Sequence, residues 1–158
     1  MRLSLVELAL LAAALALAAS VLPRCSGGSA RRVARASWTL TPGVLNPDVT
    51  QETIRATICR HGWTRTVRPP VSYTNALKRR GLHQYGLRGP PAAFQEDHLI
   101  SLELGGDPVD PRNLWPEPYP RASEVDRIEN DLNHRVCTGS LSLAEAQLRE
   151  SAVKHSDG

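Results

Sequence analysis

Between Leu82 and Pro120 the chain is crowded with Gly86, Gly89, Pro90, Pro91, Gly105, Gly106, Pro108, Pro111, Pro116, Pro118 and Pro120. Proline removes a backbone donor and glycine favours turns, so this stretch cannot hold a long helix and is left with short extended segments and loops. Residues Leu82 to Ala93 show no periodicity and read as loop. Phe94 to Trp115 contains two short apolar stretches separated by Gly105, Gly106 and an Asp/Pro-rich connection, the pattern of a β-hairpin with an enlarged loop.

Helical periodicity flanks this hairpin. From Ala122 to Val136, the residues Val125, Ile128, Leu132 and Val136 form one apolar stripe, with Asp126, Asn130 and Asn133 on a neighbouring polar face. Ser142 and Glu145 form a capping box for a last helix carrying Leu143, Ala146 and Leu148. Upstream, Asp48 and Gln51 open a predicted helix that runs through Ile54 and Ile58 to Cys59. Trp63 to Arg68 reads as a short strand ended by Pro69 and Pro70, and Thr74 to Arg80 as a brief helix stopped by Gly81. Trp63 and Trp115 are assigned to the core, His61 and His83 to loops, His155 to a frayed tail, and His134 to a helix C-terminus. The expected class is α+β.

Arg2 followed by an almost purely Leu, Ala and Val run to Leu22 reads as a signal peptide or an uncleaved membrane anchor over residues 1–22. Arg24 stands before Cys25 where a lipoprotein signal has a small residue, which argues against lipidation. Residues 23–43 read as a basic flexible linker and 44–155 as the folded domain. Export to the periplasm or medium makes Cys59 and Cys137 a natural disulfide pair, worth about 4 kcal/mol by loop closure; in a reducing compartment they would be buried thiols.

Charge is divided along the chain. Residues 52 to 88 carry eight Lys or Arg against Glu52 alone, while residues 89 to 158 carry 13 Asp or Glu against six Lys or Arg. A basic surface beside an acidic one suits a protein that holds a polyanion and brings a cation to it. Arg65, Arg68, Lys78, Arg79 and Arg80, mixed with Trp63, Tyr73 and Tyr85, are the candidate nucleic-acid contacts; such contacts give affinity without sequence readout.

Asp97 and His98 are neighbours at a strand end, so their side chains point to opposite faces and serve two adjoining tasks. Asp97 oxygens suit a hard cation; a neutral His98 suits proton abstraction from water. This pair, the Gly-containing hairpin, Asn113 near the return strand, and the Asp126/Asn130 helix occur in an order that resembles the HNH endonucleases of the ββα-metal (His-Me finger) superfamily. The stretches DHLISLELGG, DPRNLWPEP and EVDRIENDLNHRVCTG, with TICRHGWTRTVRP upstream, look like a group of small exported bacterial HNH-like proteins, over roughly residues 44 to 150.

The resemblance implies a ββα-metal hairpin plus helix with flanking helices. It makes His98 the general base, Asp97 a metal ligand and Asn113 the brace of the loop that positions His98. For the helix ligand it favours Asn130, then Asp126, with His134 on a further turn. Ser101 stands where the DHxxP form of the motif has Pro, and the absence of paired Cys-x-x-Cys knuckles implies no structural zinc. The implied cofactor is one divalent ion, Mg or Mn before Zn or Ni, and the implied partner is nucleic acid, DNA foremost. A membrane is a partner only if the leader stays uncleaved. The expected activity is hydrolysis of phosphodiester bonds with little sequence specificity. The rivals are a catalytically silent nucleic-acid-binding domain of the same fold, and an exported structural domain held by Cys59 and Cys137.

Overall fold

The computed structural model describes residues 35–156, so the leader assigned to residues 1–22, Cys25 and most of the basic linker lie outside the described residues. Four helices and one two-stranded antiparallel sheet make up the described part: α1 (Trp63–Val67), α2 (Val71–Gln84), β1 (Phe94–His98), β2 (Leu114–Pro118), α3 (Arg121–Thr138) and α4 (Leu143–His155). The class is α+β, as the alternation of helical and punctuated segments predicts. Among the described residues no helix is long and apolar enough to cross a membrane.

The hairpin pairs Phe94 with Pro118 through to His98 with Leu114. Its long connection is not loose. Short 3₁₀ turns at Leu102–Leu104 and Pro111–Asn113 fold it back, and Leu102 and Leu104 are buried. Ile100 and Leu104 join Val49, Ile54, Ile58, Trp63, Leu132, Val136, Leu141, Leu143 and Ala146 in the main core, while Trp115 packs with Ala36 and Leu99 in a second cluster beside Tyr85. Cys59 and Cys137 form a disulfide, with Cα atoms 5.5 Å apart, that ties the segment before α1 to the end of α3.

Several expectations are corrected. Trp63 to Arg68 is not a strand: Gly62, at φ +79°, turns the chain into α1, the Thr66 hydroxyl donates to the Trp63 carbonyl, and Trp63 is buried in the main core. Residues 48 to 59 form successive turns rather than one helix. There the Thr53 and Thr57 hydroxyls donate to backbone carbonyls of Asp48 and Thr53, and Cys59 N reaches back five residues to Ile54 O. Helix α2 starts earlier and runs through Gly81 to Gln84, placing His83 in a helix. A Cβ on Gly81 would stand 2.9 Å from the Pro116 ring, so glycine here serves close packing on β2 and does not stop the helix.

On α3 the buried stripe is Ala122, Val125, Glu129, Leu132 and Val136, while Ile128 is 39% exposed. On α4 the Ser142 hydroxyl accepts from Glu145 N as the cap requires, but Leu148 is 72% exposed and Glu150, Ser151, Lys154 and His155 are buried. His155 is no frayed end. Its ring stacks on Trp38 at 3.6 Å, with Nε2 3.1 Å from Thr41 O. The segment assigned to the linker is packed from Ala36 onward: Ala36 and Thr41 are buried, and Ala36 N donates to Lys154 O.

Candidate metal and hydrolytic site

The hairpin connection is pinned by one side chain. Asn113, fully buried, accepts from Ile100 N through Oδ1 at 2.9 Å and donates through Nδ2 to Ile100 O and Asp107 O. This closeness explains Gly106, where an added Cβ would lie 1.8 Å from Ile100 O and 2.6 Å from Asn113 Nδ2. The connection so held carries Pro108, whose carbonyl stands 3.1 Å from His98 Nε2. A carbonyl only accepts, so Nε2 carries the hydrogen and Nδ1 keeps its lone pair. Burial lowers the His98 pKa, partly offset by the Pro108 hydrogen bond and the Asp97 charge, which keeps the ring neutral at pH 7.

Asp97 points to the other side, into the space between β1, α3 and α4. Asp97, Asp126 and Glu129 each bring a carboxylate oxygen within 4.8 Å of the others, and this group could hold a metal ion. An all-oxygen donor set suits a hard divalent cation. Gln95 Nε2 lies 3.4 Å from both Asp97 Oδ1 and Asp126 Oδ1, while its Oε1 accepts from the Tyr119 hydroxyl. The group lies against a wholly buried Lys154, whose Nζ donates to Asp97 Oδ2, Glu129 Oε1 and His98 O and stands 3.2 Å from Glu150 Oε1. Glu150 in turn accepts from Ser101 N. A lysine is almost never fully buried unless paired, and here it is paired three times over.

Even so, the carboxylates outnumber the cations. Burial pushes the Glu129 carboxyl up to about 9 despite the attraction of Lys154. Glu117, whose Oε1 pairs with Arg121 Nη1, is pushed up to about 8 by burial and by the Asp97 charge. Its Oε2 is buried with no acceptor role to fill, and a proton there lets it donate to Asp97. Burial also raises Asp97, but Lys154 and the Glu117 hydrogen bond more than reverse this, so Asp97 remains ionised.

The structure therefore brings together Asp97, His98, Asn113 and Asp126. Asn130 is not among them: it is exposed, and its amide donates to Asp126 O on its own helix. Glu129, one residue earlier and so about 100° around the helix, takes the inward position. His134 is exposed on the last turns of α3. Glu129, Lys154, Glu150 and Gln95 were missed by sequence reasoning. The Asp126/Glu129 spacing of three and the Glu150/Lys154 spacing of four were the available signals, since such pairs share a helix face.

Of the candidate nucleic-acid contacts, Arg65 and Arg68 are exposed on and just after α1, and Arg68 is close enough for its charge to act on both His98 and Glu103. Arg79 and Arg80 are exposed and line a surface groove of α2 with Ala76, His83 and Gln84. Lys78 differs: it is half-buried and donates to Phe94 O at 3.0 Å, which ties α2 to the start of β1. Comparison with known proteins finds no matching family model, no matching curated protein and no matching solved structure.

Proposed function

We propose that the chain is an exported, HNH-type endonuclease that hydrolyses phosphodiester bonds of nucleic acid, DNA foremost, with little sequence specificity. The observation that carries this reading is the meeting, at one strand end, of a neutral histidine with a fixed tautomer and a carboxylate group of metal-binding geometry. In this reading His98 Nδ1 takes a proton from the attacking water, and the Pro108 carbonyl, held in place through Asn113, keeps the ring from turning. Asp97, Asp126 and Glu129 would hold one divalent ion, Mg²⁺ or Mn²⁺ foremost, which supplies positive charge for the phosphate oxygens and the leaving oxygen. Arg68, whose charge reaches His98, and Arg65, Arg79 and Arg80 hold the phosphodiester backbone.

Nicking of supercoiled plasmid by the purified protein, present with Mg²⁺ or Mn²⁺ and abolished by EDTA, is the expected result. A silent nucleic-acid-binding domain is the second reading, and one observation favours it: His98 is only 4% exposed. Retained DNA binding with no nicking under any divalent ion would select it.

A further inference from the structure

Lys154 Nζ has four oxygen neighbours: Asp97 Oδ2 at 2.7 Å, Glu129 Oε1 at 2.6 Å, His98 O at 2.5 Å and Glu150 Oε1 at 3.2 Å. Three carboxylate oxygens and one carbonyl oxygen are the ligand set of a hard divalent cation, yet a side chain with no solvent exposure fills it. Two of these carboxylates are shared with the candidate metal group. Asp97 is divided, with Oδ2 on the ammonium and Oδ1 turned toward Asp126, where Gln95 Nε2 meets both Oδ1 atoms. Glu129 likewise belongs to both groups. Carboxylates shared in this way are the arrangement of a two-ion phosphodiesterase site, whose ions stand about 3.5–4 Å apart.

We propose that Lys154 is the resident second cation of this site: its ammonium permanently fills the position a second divalent ion would take, leaving one exchangeable ion to be held by Asp97, Asp126 and Glu129. The identity of that exchangeable ion rests on the function proposed above, whereas the role of Lys154 stands on its own contacts. Lysine suits the task because its charge is compact and point-like, where the planar fork of arginine would not fit a four-oxygen cage. A covalently attached cation cannot be chelated, so the carboxylates stay assembled when the exchangeable ion leaves. Because the same ammonium also holds the His98 carbonyl, one group sets the spacing between the proposed base and the proposed ligands.

The test is a calorimetric Mn²⁺ titration of the full chain, without nucleic acid, for the wild type, Lys154→Ala and Lys154→Met, with thermal unfolding followed in Mn²⁺ and in EDTA. Lys154→Ala empties the cage and is expected to bind one Mn²⁺ more than the wild type, with its unfolding temperature lowered by EDTA further than that of the wild type. Lys154→Met, which refills the space without charge, is expected to keep the wild-type count. Equal counts for Lys154→Ala and the wild type overturn the proposal, as does an extra ion in Lys154→Met. So does a Lys154→Ala chain that stays unfolded at saturating Mn²⁺, since a divalent ion must be able to replace the ammonium. A count of none in the wild type and one in Lys154→Ala upholds the role of Lys154 and instead removes the one-ion nuclease reading.

Discussion

Charge is handled in opposite ways on the two sides of the hairpin. On and beside α1 and α2, Arg65, Arg68, Arg79 and Arg80 stand exposed, and none of them is needed to close the core. Between β1, α3 and α4 the charges are inside: Asp97, Glu117, Glu129 and Glu150 are buried around Lys154 and Arg121. Exposed charge costs little to keep and acts at long range, which suits contact with a polyanion of any sequence. Buried charge persists only where each group has a partner or a proton, so it fixes positions to a fraction of an ångström and suits chemistry. By this contrast the segment of the chain richest in cations keeps its charge on the surface, and the segment richest in anions lines the interior of the proposed site.

The largest effect is expected from His98→Ala, which should lower metal-dependent plasmid nicking about 10² to 10⁴-fold while leaving DNA affinity in a filter-binding assay unchanged. A parallel loss of affinity would dissolve the division between a contact face and a chemical site. Next comes Asp126→Asn, expected to weaken Mn²⁺ binding at least about 10-fold by calorimetry, against no change for Asn130→Ala. The reverse order would restore Asn130 as the helix ligand.

On the basic side, Arg79→Ala with Arg80→Ala should reduce the slope of log affinity against log salt by about 1.8 for duplex DNA, whatever its sequence. Lys78→Ala should leave that slope nearly unchanged and instead destabilise the fold by about 1 kcal/mol, because its ammonium is spent on Phe94 O. Equal slopes for the Arg pair and the wild type would make this face a solvated surface only.

The smallest effect concerns pH. Glu129 and Glu117 hold their protons in the folded state up to about 9 and about 8, whereas the unfolded chain releases them near 4.5. Their contribution to stability is therefore complete below pH 4.5 and is lost as pH rises through 8 to 9. In EDTA the unfolding temperature should fall by at least about 4 °C between pH 5 and pH 9, a shift that corresponds to about 1 kcal/mol, and added Mn²⁺ should restore most at the alkaline end. A flat profile would mean that these carboxyls are not forced together as the fold places them.

What the sequence disclosed and what it withheld divide along the same line. The hairpin, the long helix α3, the Ser142 cap and the Cys59–Cys137 pair were legible because each has a local or compositional mark: turn residues, an apolar period, a capping hydroxyl, two cysteines behind an export-like leader. Asp97, His98 and Asn113 were legible as an ordered motif. The inward turn of Glu129 in place of Asn130 was not, because one residue is about 100° on a helix and Ile128, taken as part of the stripe, lies at its margin. Lys154 was hidden further still. Its partners Asp97 and Glu129 are 57 and 25 residues away, and the buried face of α4 is polar beyond Ala146, so no apolar period marks it. The strand expected at Trp63 to Arg68 failed for a related reason: Thr and Val content favours extended chain, but no strand among the described residues pairs with it and the Trp63 side chain is drawn into the core.

The disulfide has a topological consequence. Cys59 and Cys137 are 78 residues apart, and the ring they close contains α1, α2, both strands and nearly all of α3, with every arginine of the proposed contact face, His98 and Asp126 inside it. A protease that cut one exposed turn within the ring, such as that around Gly89, would open the circle without releasing a fragment. The two halves would migrate as one molecule until a reductant was added. After such a single scission the protein is two chains joined covalently through Cys59 and Cys137, where an unbridged chain would be held only by its non-covalent contacts.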